Sequence, residues 1–423
     1  MRVLILSWEY PPHIVGGLGR HVAALARELA AEGHHVHVVT RGRPGDSAEA
    51  DGWVDGVHVV RVPEAPPAIP FEDLIPWVLS FNNRVTAAAG RLLRDHPIDV
   101  IHAHDWLVTY AAAALKEIWE IPVVATIHAT EYGRHQGWLP GPMNRLIHQV
   151  EWWLTYEARR VITCSRYMRD QVEDIFELPP ANIDVVPNGV DLADFEVADE
   201  QARTFRASVT SPGTRMVLFA GRLEYEKGVQ TVLDALRQVQ QQVGPTCLFV
   251  AGVGTYSEVL RRRVSELGLE ADVRFTGFLE DQELRLHYAA ADVAVVPSIY
   301  EPFGLVAVEA MACGTPVIVA DTGGLREIVT EGSGLTVPPE DAQALATALI
   351  DVLTDRELAR TLVDGGRQLV DHRYDWSRVA HRTVSIYRRA CEQERMLVGR
   401  TEERPPLRAI LNQAPILQVD DAG

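Results

Sequence analysis

Residues 292–320 read DVAVVPSIYEPFGLVAVEAMACGTPVIVA. The apolar run DVAVVP gives way to a loop containing Pro302 and Gly304, then to LVAVEAMA, then to a second apolar run, PVIVA. Pro302 disfavours helical geometry at Glu301, so that acid is read in the loop and the helix begins just after it. Glu309, eight positions further on, falls about a turn and a half into the helix. The order strand, loop, helix, strand is that of a parallel β-α-β unit, and it sets two carboxylates around the start of one helix.

The same alternation extends in both directions. Apolar, β-branched runs occur at 3–6, 35–40, 57–62, 99–104, 123–128, 160–165 and 183–188, and a second series runs through MVLFAG, CLFVAG, VRFTGF, DVAVVP, PVIVA and GLTVP. Helical patterns separate them; after the first run, Leu18, Val22, Leu25 and Leu29 share one face, and Gly33 can stop that helix. The predicted fold class is therefore α/β, with two doubly wound, Rossmann-like parallel-sheet domains. The polar segment 196–214 has no strand pattern and marks the junction, giving domains at 1–195 and 215–373. Residues 374–395 keep helical periodicity, and 400–423 read as a flexible tail with little to bury.

Bulk composition narrows the partners. The 423 residues are 47% hydrophobic and 23% charged, an ordinary globular balance, and the chain is too long for one ordinary core. A net charge of -18 repels nucleic acid and anionic membranes, so any phosphate must meet a local basic pocket. Cys164, Cys247, Cys313 and Cys391 show no CxxC spacing and are read as reduced thiols. The start MRVLILSWEYPP lacks the apolar core of a signal peptide, and no run approaches a membrane span, so the expected location is the cytoplasm without membrane insertion.

Open α/β sheets bind ligands beyond the carboxyl ends of their strands, which directs attention to the loops there. GGLGRH, with Gly16 and Gly17, invites a dinucleotide reading, but it begins well after the first strand, and the second strand ends in Thr40 and Arg41 rather than an acid. A loop that lets a bulky ligand approach the backbone fits better. FAGRLEYEKG (219–228) sets Arg222 and Lys227 at a strand mouth, where they can stabilise the charge growing on a departing diphosphate. In EPFGLVAVE the backbone N–H groups of Phe303, Gly304 and Leu305 make a phosphate cradle, and Glu301 and Glu309 can accept hydrogen bonds from a hexose and a ribose. His34, His35 and His37, like the pair His102 and His104, are discounted as metal ligands. With no Asp-x-Asp triplet in the chain, no metal site is expected, and Arg222 and Lys227 can take the ion's electrostatic place. Trp152, Trp153 and Tyr156 are read as core, and Trp138 as the better acceptor contact.

These motifs together resemble the retaining nucleotide-sugar glycosyltransferases of the GT-B fold. Glu301 to Glu309 is similar to their E-x7-E motif, and GRLEYEKG to their diphosphate-binding Arg and Lys. Within that group the chain resembles glycosyltransferase family 4, glycogen and starch synthases in particular, through HAHDW (102–106) and TIHATEYGRHQG (126–137). The resemblance implies a metal-independent hexosyl transfer, with no cofactor, from UDP-glucose or ADP-glucose, a GDP-sugar being a further option, to an α-glucan or related oligosaccharide. It also implies that Glu301 contacts the donor sugar, Glu309 the ribose, and Arg222 and Lys227 the diphosphate, with His128 by the reacting sugar and Asp105 near donor and acceptor. The C-terminal helix of 374–395 would cross back to the first domain. Where ADP-glucose-type glycogen synthases carry the lysine of Lys-x-Gly-Gly, this chain has Ile14. Two other classes stay open: a nucleotide-sugar epimerase of the same architecture, and a non-catalytic sugar-nucleotide-binding protein.

Overall fold

The computed structural model describes residues 1–14, 16–43, 49–63 and 74–398, so the tail expected at 400–423 lies outside the described residues. Two sheets form. The first has eight strands in the order Ala50–Val54, Val57–Val62, His35–Arg41, Arg2–Leu6, Val100–His104, Val123–Ile127, Arg160–Thr163 and Ile183–Val185. The second has six, in the order Val273–Gly277, Thr246–Ala251, Arg215–Ala220, Val293–Val296, Val317–Ala320 and Leu335–Val337. Among the described residues, every strand pairing within the two sheets is parallel except the antiparallel edge of Ala50–Val54 on Val57–Val62.

Strand residues alternate between faces, and the apolar layers follow from that period. Val3 and Ile5 pack on Val22, Leu25 and Leu29 of helix Gly17–Ala31 and on Val379, Val384 and Tyr387 of helix Trp376–Val398. Leu4 and Leu6 face the other way, onto Phe81, Val85 and Leu115. In the second sheet Val217 and Phe219 meet Val232, Leu236 and Leu349, while Met216 and Leu218 share a layer with Tyr288, Ala307 and Met311. Both faces of each sheet are covered, which is why the strands read as near-continuous apolar runs.

The helix Trp376–Val398 starts beside the second sheet's last helix and lies on the first sheet's layer. Tyr387 Oη is 2.7 Å from His102 Nδ1, Arg389 pairs with Asp184 at 2.7 Å, and Arg159 pairs with Glu394. All four cysteines are free thiols, three of them buried. Among the described residues no helix is long and apolar enough to cross a membrane.

Two elements differ from the sequence reading. The edge strand Ala50–Val54 returns through Asp55 and Gly56, with φ of 49° and 79°, the paired positive angles of a tight hairpin turn. The junction segment also contains a helix, Asp199–Val209, which is tied to the second domain: Arg206 pairs with Asp292 at 2.6 Å, and Phe205 packs edge-on against His287.

Candidate active site

The carboxyl ends of the two sheets face one another, and the loops leaving them line two adjoining cavities of about 230 and 520 Å³. Gly16, Gly17, Arg222, Lys227, Glu301 and Leu305 line both. Glu309 belongs to the smaller cavity; Asp105, His128, Phe303 and Gly304 belong to the larger. All the residues singled out from the motifs are thus brought to one place. Trp138 and the stacked pair Trp152 and Tyr156 line neither cavity, and Trp138 stands 67% exposed.

Each charged group is held by local chain geometry. Strand Arg215–Ala220 delivers Arg222, and a short turn, Tyr225–Lys227, delivers Lys227. The Glu226 carbonyl accepts the Ile299 N–H at 2.8 Å, which ties this loop to the one carrying Glu301. Lys227 Nζ then lies 2.8 Å from Glu301 Oε2, and Arg222 Nη2 lies 3.4 Å from Glu226 Oε1. The Glu301 carbonyl accepts the Gly324 N–H at 2.8 Å, so the acid sits on a braced backbone. Glu309, on helix Leu305–Ala312, is buried; its Oε2 accepts from Tyr288 Oη at 3.0 Å and its Oε1 from Arg20 Nη1 at 3.3 Å. Burial raises the Glu309 carboxyl, opposed by Arg20 and the tyrosine hydroxyl.

On the first-domain side, Asp105 Oδ1 accepts the His128 N–H at 2.8 Å. Asp105 has φ 58° and ψ 174°, a region nearly reserved for glycine, so the surrounding structure holds it there at a cost of about 1–3 kcal/mol. Burial pushes the Asp105 carboxyl up to about 6 against the opposing pull of Arg134 and the His128 N–H. Burial, helped by Arg134, brings the His128 imidazole down to about 4, so it is neutral near pH 7.

Several neighbours of this site escaped sequence reading. Arg20 projects from the helix after GGLG into the smaller cavity beside Ile14, and also pairs with Asp281 at 2.8 Å. Its signal was present, one position beyond the glycine-rich turn. Arg134, Trp8 and Trp77 line the larger cavity, and Tyr300 Oη receives the Thr130 N–H at 3.4 Å across the domains.

Two facing parallel-sheet domains, with Arg222, Lys227 and Glu301 lining the cleft between them, define a GT-B architecture. The family model "Glycosyltransferase Family 4" matches residues 15–194, and "Glycosyl transferases group 1" matches 200–369. The chain belongs to the glycosyltransferases, with a first domain of family 4. It is similar to glycogen synthase of Mycobacterium tuberculosis, at 40% identity over 93% of this chain and 96% of that protein. D-inositol 3-phosphate glycosyltransferase of Kineococcus radiotolerans is 32% identical over 89% of this chain and 91% of that one. Among solved structures, sucrose-phosphate synthase of Thermosynechococcus elongatus superposes with a TM-score of 0.80 at 29% identity, covering 92% of this chain and 98% of that one.

Proposed function

We propose that the protein is a retaining, metal-independent glycosyltransferase that moves a hexose, glucose first, from a nucleoside-diphosphate sugar to an α-glucan or related oligosaccharide. One observation carries this reading: Arg222, Lys227 and Glu301 stand together where the two cavities meet. A diphosphate at that waist lies against two cations, its nucleoside reaches toward Glu309 and its sugar toward His128 and Asp105. The likeness to a glycogen synthase supports glucose and a glucan; Arg20 offers the first-domain cation that Ile14 does not.

In the proposed step, the bond from C1 of the sugar to the β-phosphate oxygen breaks, with its electron pair going to the phosphate. The acceptor hydroxyl oxygen bonds C1 on the same face and passes its proton to the departing phosphate. Arg222 and Lys227 hold the growing negative charge without reorganising, as a metal ion would elsewhere. Glu301, freed from Lys227 as the diphosphate takes that cation, binds sugar hydroxyls. Residues 1–195 and 215–373 serve as the acceptor-side and donor-side domains.

The direct test is a panel of UDP-, ADP- and GDP-glucose with and without glucan, scored for nucleotide release and for product anomeric configuration by NMR. Glucan-dependent release with an α-linked product is expected, and it should survive EDTA. Isomerised sugar without acceptor would indicate the epimerase, and binding without release the sensor; loss of activity in EDTA that Mg²⁺ restores would refute metal independence.

Asp105 gives a pH prediction. With a carboxyl near 6 and His128 near 4, kcat/KM should fall below about pH 6 as Asp105 takes a proton and loses its charge against His128 and Arg134. Asp105→Asn should be slow throughout and lack that acidic limb; persistence of the limb in the variant would assign it elsewhere. The same shift has a stability sign. The folded chain holds this proton more tightly than the unfolded chain, whose value is about 4, so Asp105 lowers stability as pH rises from about 4 to 6 and the loss is complete above that window.

A further inference from the structure

Three histidines from three first-domain segments converge behind the larger cavity. His21 comes from helix Gly17–Ala31, His104 ends strand Val100–His104, and His128 follows strand Val123–Ile127. One ring nitrogen from each lies within 4.8 Å of the other two, the one such trio of metal-ligating side chains among the described residues. His104 Nδ1 is 3.0 Å from His128 Nε2. The ring centres are 4.7 Å apart for His21 and His128, 5.5 Å for His21 and His104, and 5.4 Å for His104 and His128. Three imidazoles bound to one tetrahedral zinc through nitrogens at about 2.0–2.1 Å place those nitrogens about 3.3 Å apart and the ring centres about 5 Å apart.

Hydrogen bonding accounts for only part of the arrangement: it joins His104 Nδ1 to His128 Nε2 and leaves other ring nitrogens of the trio unpaired. His104 Nε2 and His21 Nδ1 are removed from solvent without a hydrogen-bond partner. The adjacent His102 differs: Tyr387 Oη and Thr126 Oγ1 stand 2.7 Å from its two ring nitrogens, so both have partners. Burial holds all three rings of the trio well below the usual histidine range, which leaves them in the neutral form that ligates a metal. Neutral imidazoles without a carboxylate in the set suit zinc, cobalt, nickel or copper rather than magnesium or calcium.

We propose that His21, His104 and His128 form a binding site for one zinc-class divalent cation. The fourth coordination position is left for water, reached from the cavity that His128 lines. The cation is an inhibitor: it engages the His128 ring that the donor sugar would otherwise meet. That consequence, unlike the site, rests on the proposed function.

The test uses the full chain, stripped with EDTA and desalted. Co²⁺ titration should give one equivalent of binding with the intense visible bands of four-coordinate cobalt, and Zn²⁺ should displace it. His21→Ala and His104→Ala should each weaken binding at least about tenfold, while His58→Ala, in the separate contact of His58 with His37 at 2.9 Å, should leave it unchanged. Should His104→Ala fail to fold by circular dichroism, His21→Ala and His21→Phe carry the test. No stoichiometric binding, a six-coordinate cobalt spectrum, retention in the His21 variants, or loss in His58→Ala would each overturn the site. Zn²⁺ should also inhibit glucosyl transfer reversibly in the unmodified protein and far less in His21→Ala. Stoichiometric binding with transfer unaffected would keep the site and remove His128 from the sugar.

Discussion

Arg222→Ala is expected to lower kcat about a hundredfold, a loss of about 3 kcal/mol of transition-state stabilisation, with a smaller change in donor KM. The asymmetry follows from when the interaction matters. The diphosphate carries its full charge only as the glycosyl bond breaks, so a fixed guanidinium stabilises the departing state more than the bound donor. Arg222 is also the clean choice of the two cations. It is 43% exposed, and its contact with Glu226, a side chain 15% exposed, is long at 3.4 Å, so its loss should cost less stability than that of the short Lys227–Glu301 pair, in which both side chains are largely buried. Lys227 is 17% exposed and sits 2.8 Å from Glu301, so removing it would strand a half-buried carboxylate and mix a folding defect into the rate. Steady-state nucleotide release with saturating glucan measures the effect. A kcat within about threefold of the unmodified protein, less than 1 kcal/mol, would take Arg222 out of its assigned role.

What the sequence made legible was local. Parallel strands covered on both faces are apolar throughout, so Val3 to Leu6 and Val293 to Val296 announce themselves without any partner in view. The motif loops were equally visible, because a ligand site at strand ends needs proline, glycine and charge within a few positions. What stayed hidden depends on contacts that no window contains. Arg20 and Glu309 meet across 289 positions, and nothing near either residue names the other. The histidine trio was missed for the same reason: His102 and His104 look equivalent two positions apart, yet Tyr387 from the last helix partners one of them and not the other. The Ala50–Val54 edge is a different kind of miss. Its burial is slight and its pattern weak, although Asp55-Gly56 carried the turn signal. Helix Asp199–Val209 has no buried residue, so its composition reads as a linker even though Arg206 binds it to the second domain.

Gly133→Ala tests the closed cleft itself, and is expected to lower kcat/KM about a hundredfold while leaving the fold intact. A Cβ added at Gly133 would lie 2.3 Å from Tyr300 Oη and 2.4 Å from its ring carbon Cζ, too close for either to remain. Tyr300 is 4% exposed and hydrogen-bonded to Gln171 at 3.1 Å, and it directly precedes Glu301. The ring must therefore withdraw, taking the acid with it or parting the domains, and a displacement of about 1 Å at a reacting centre is enough for such a loss. The helix Glu131–Arg134 is not the weak point, since alanine is a better helix former than glycine by about 1 kcal/mol. Circular dichroism and thermal unfolding should accordingly stay near those of the unmodified protein while transfer collapses. Removing the obstacle separates wedge from coincidence. Tyr300→Ala alone should slow transfer because the tie to Thr130 is lost, but in that background Gly133→Ala should cost almost nothing more, because the two changes act through one contact. Additive losses in the double variant, or normal transfer in Gly133→Ala, would mean that the position of Glu301 does not depend on how Tyr300 seats against the first domain.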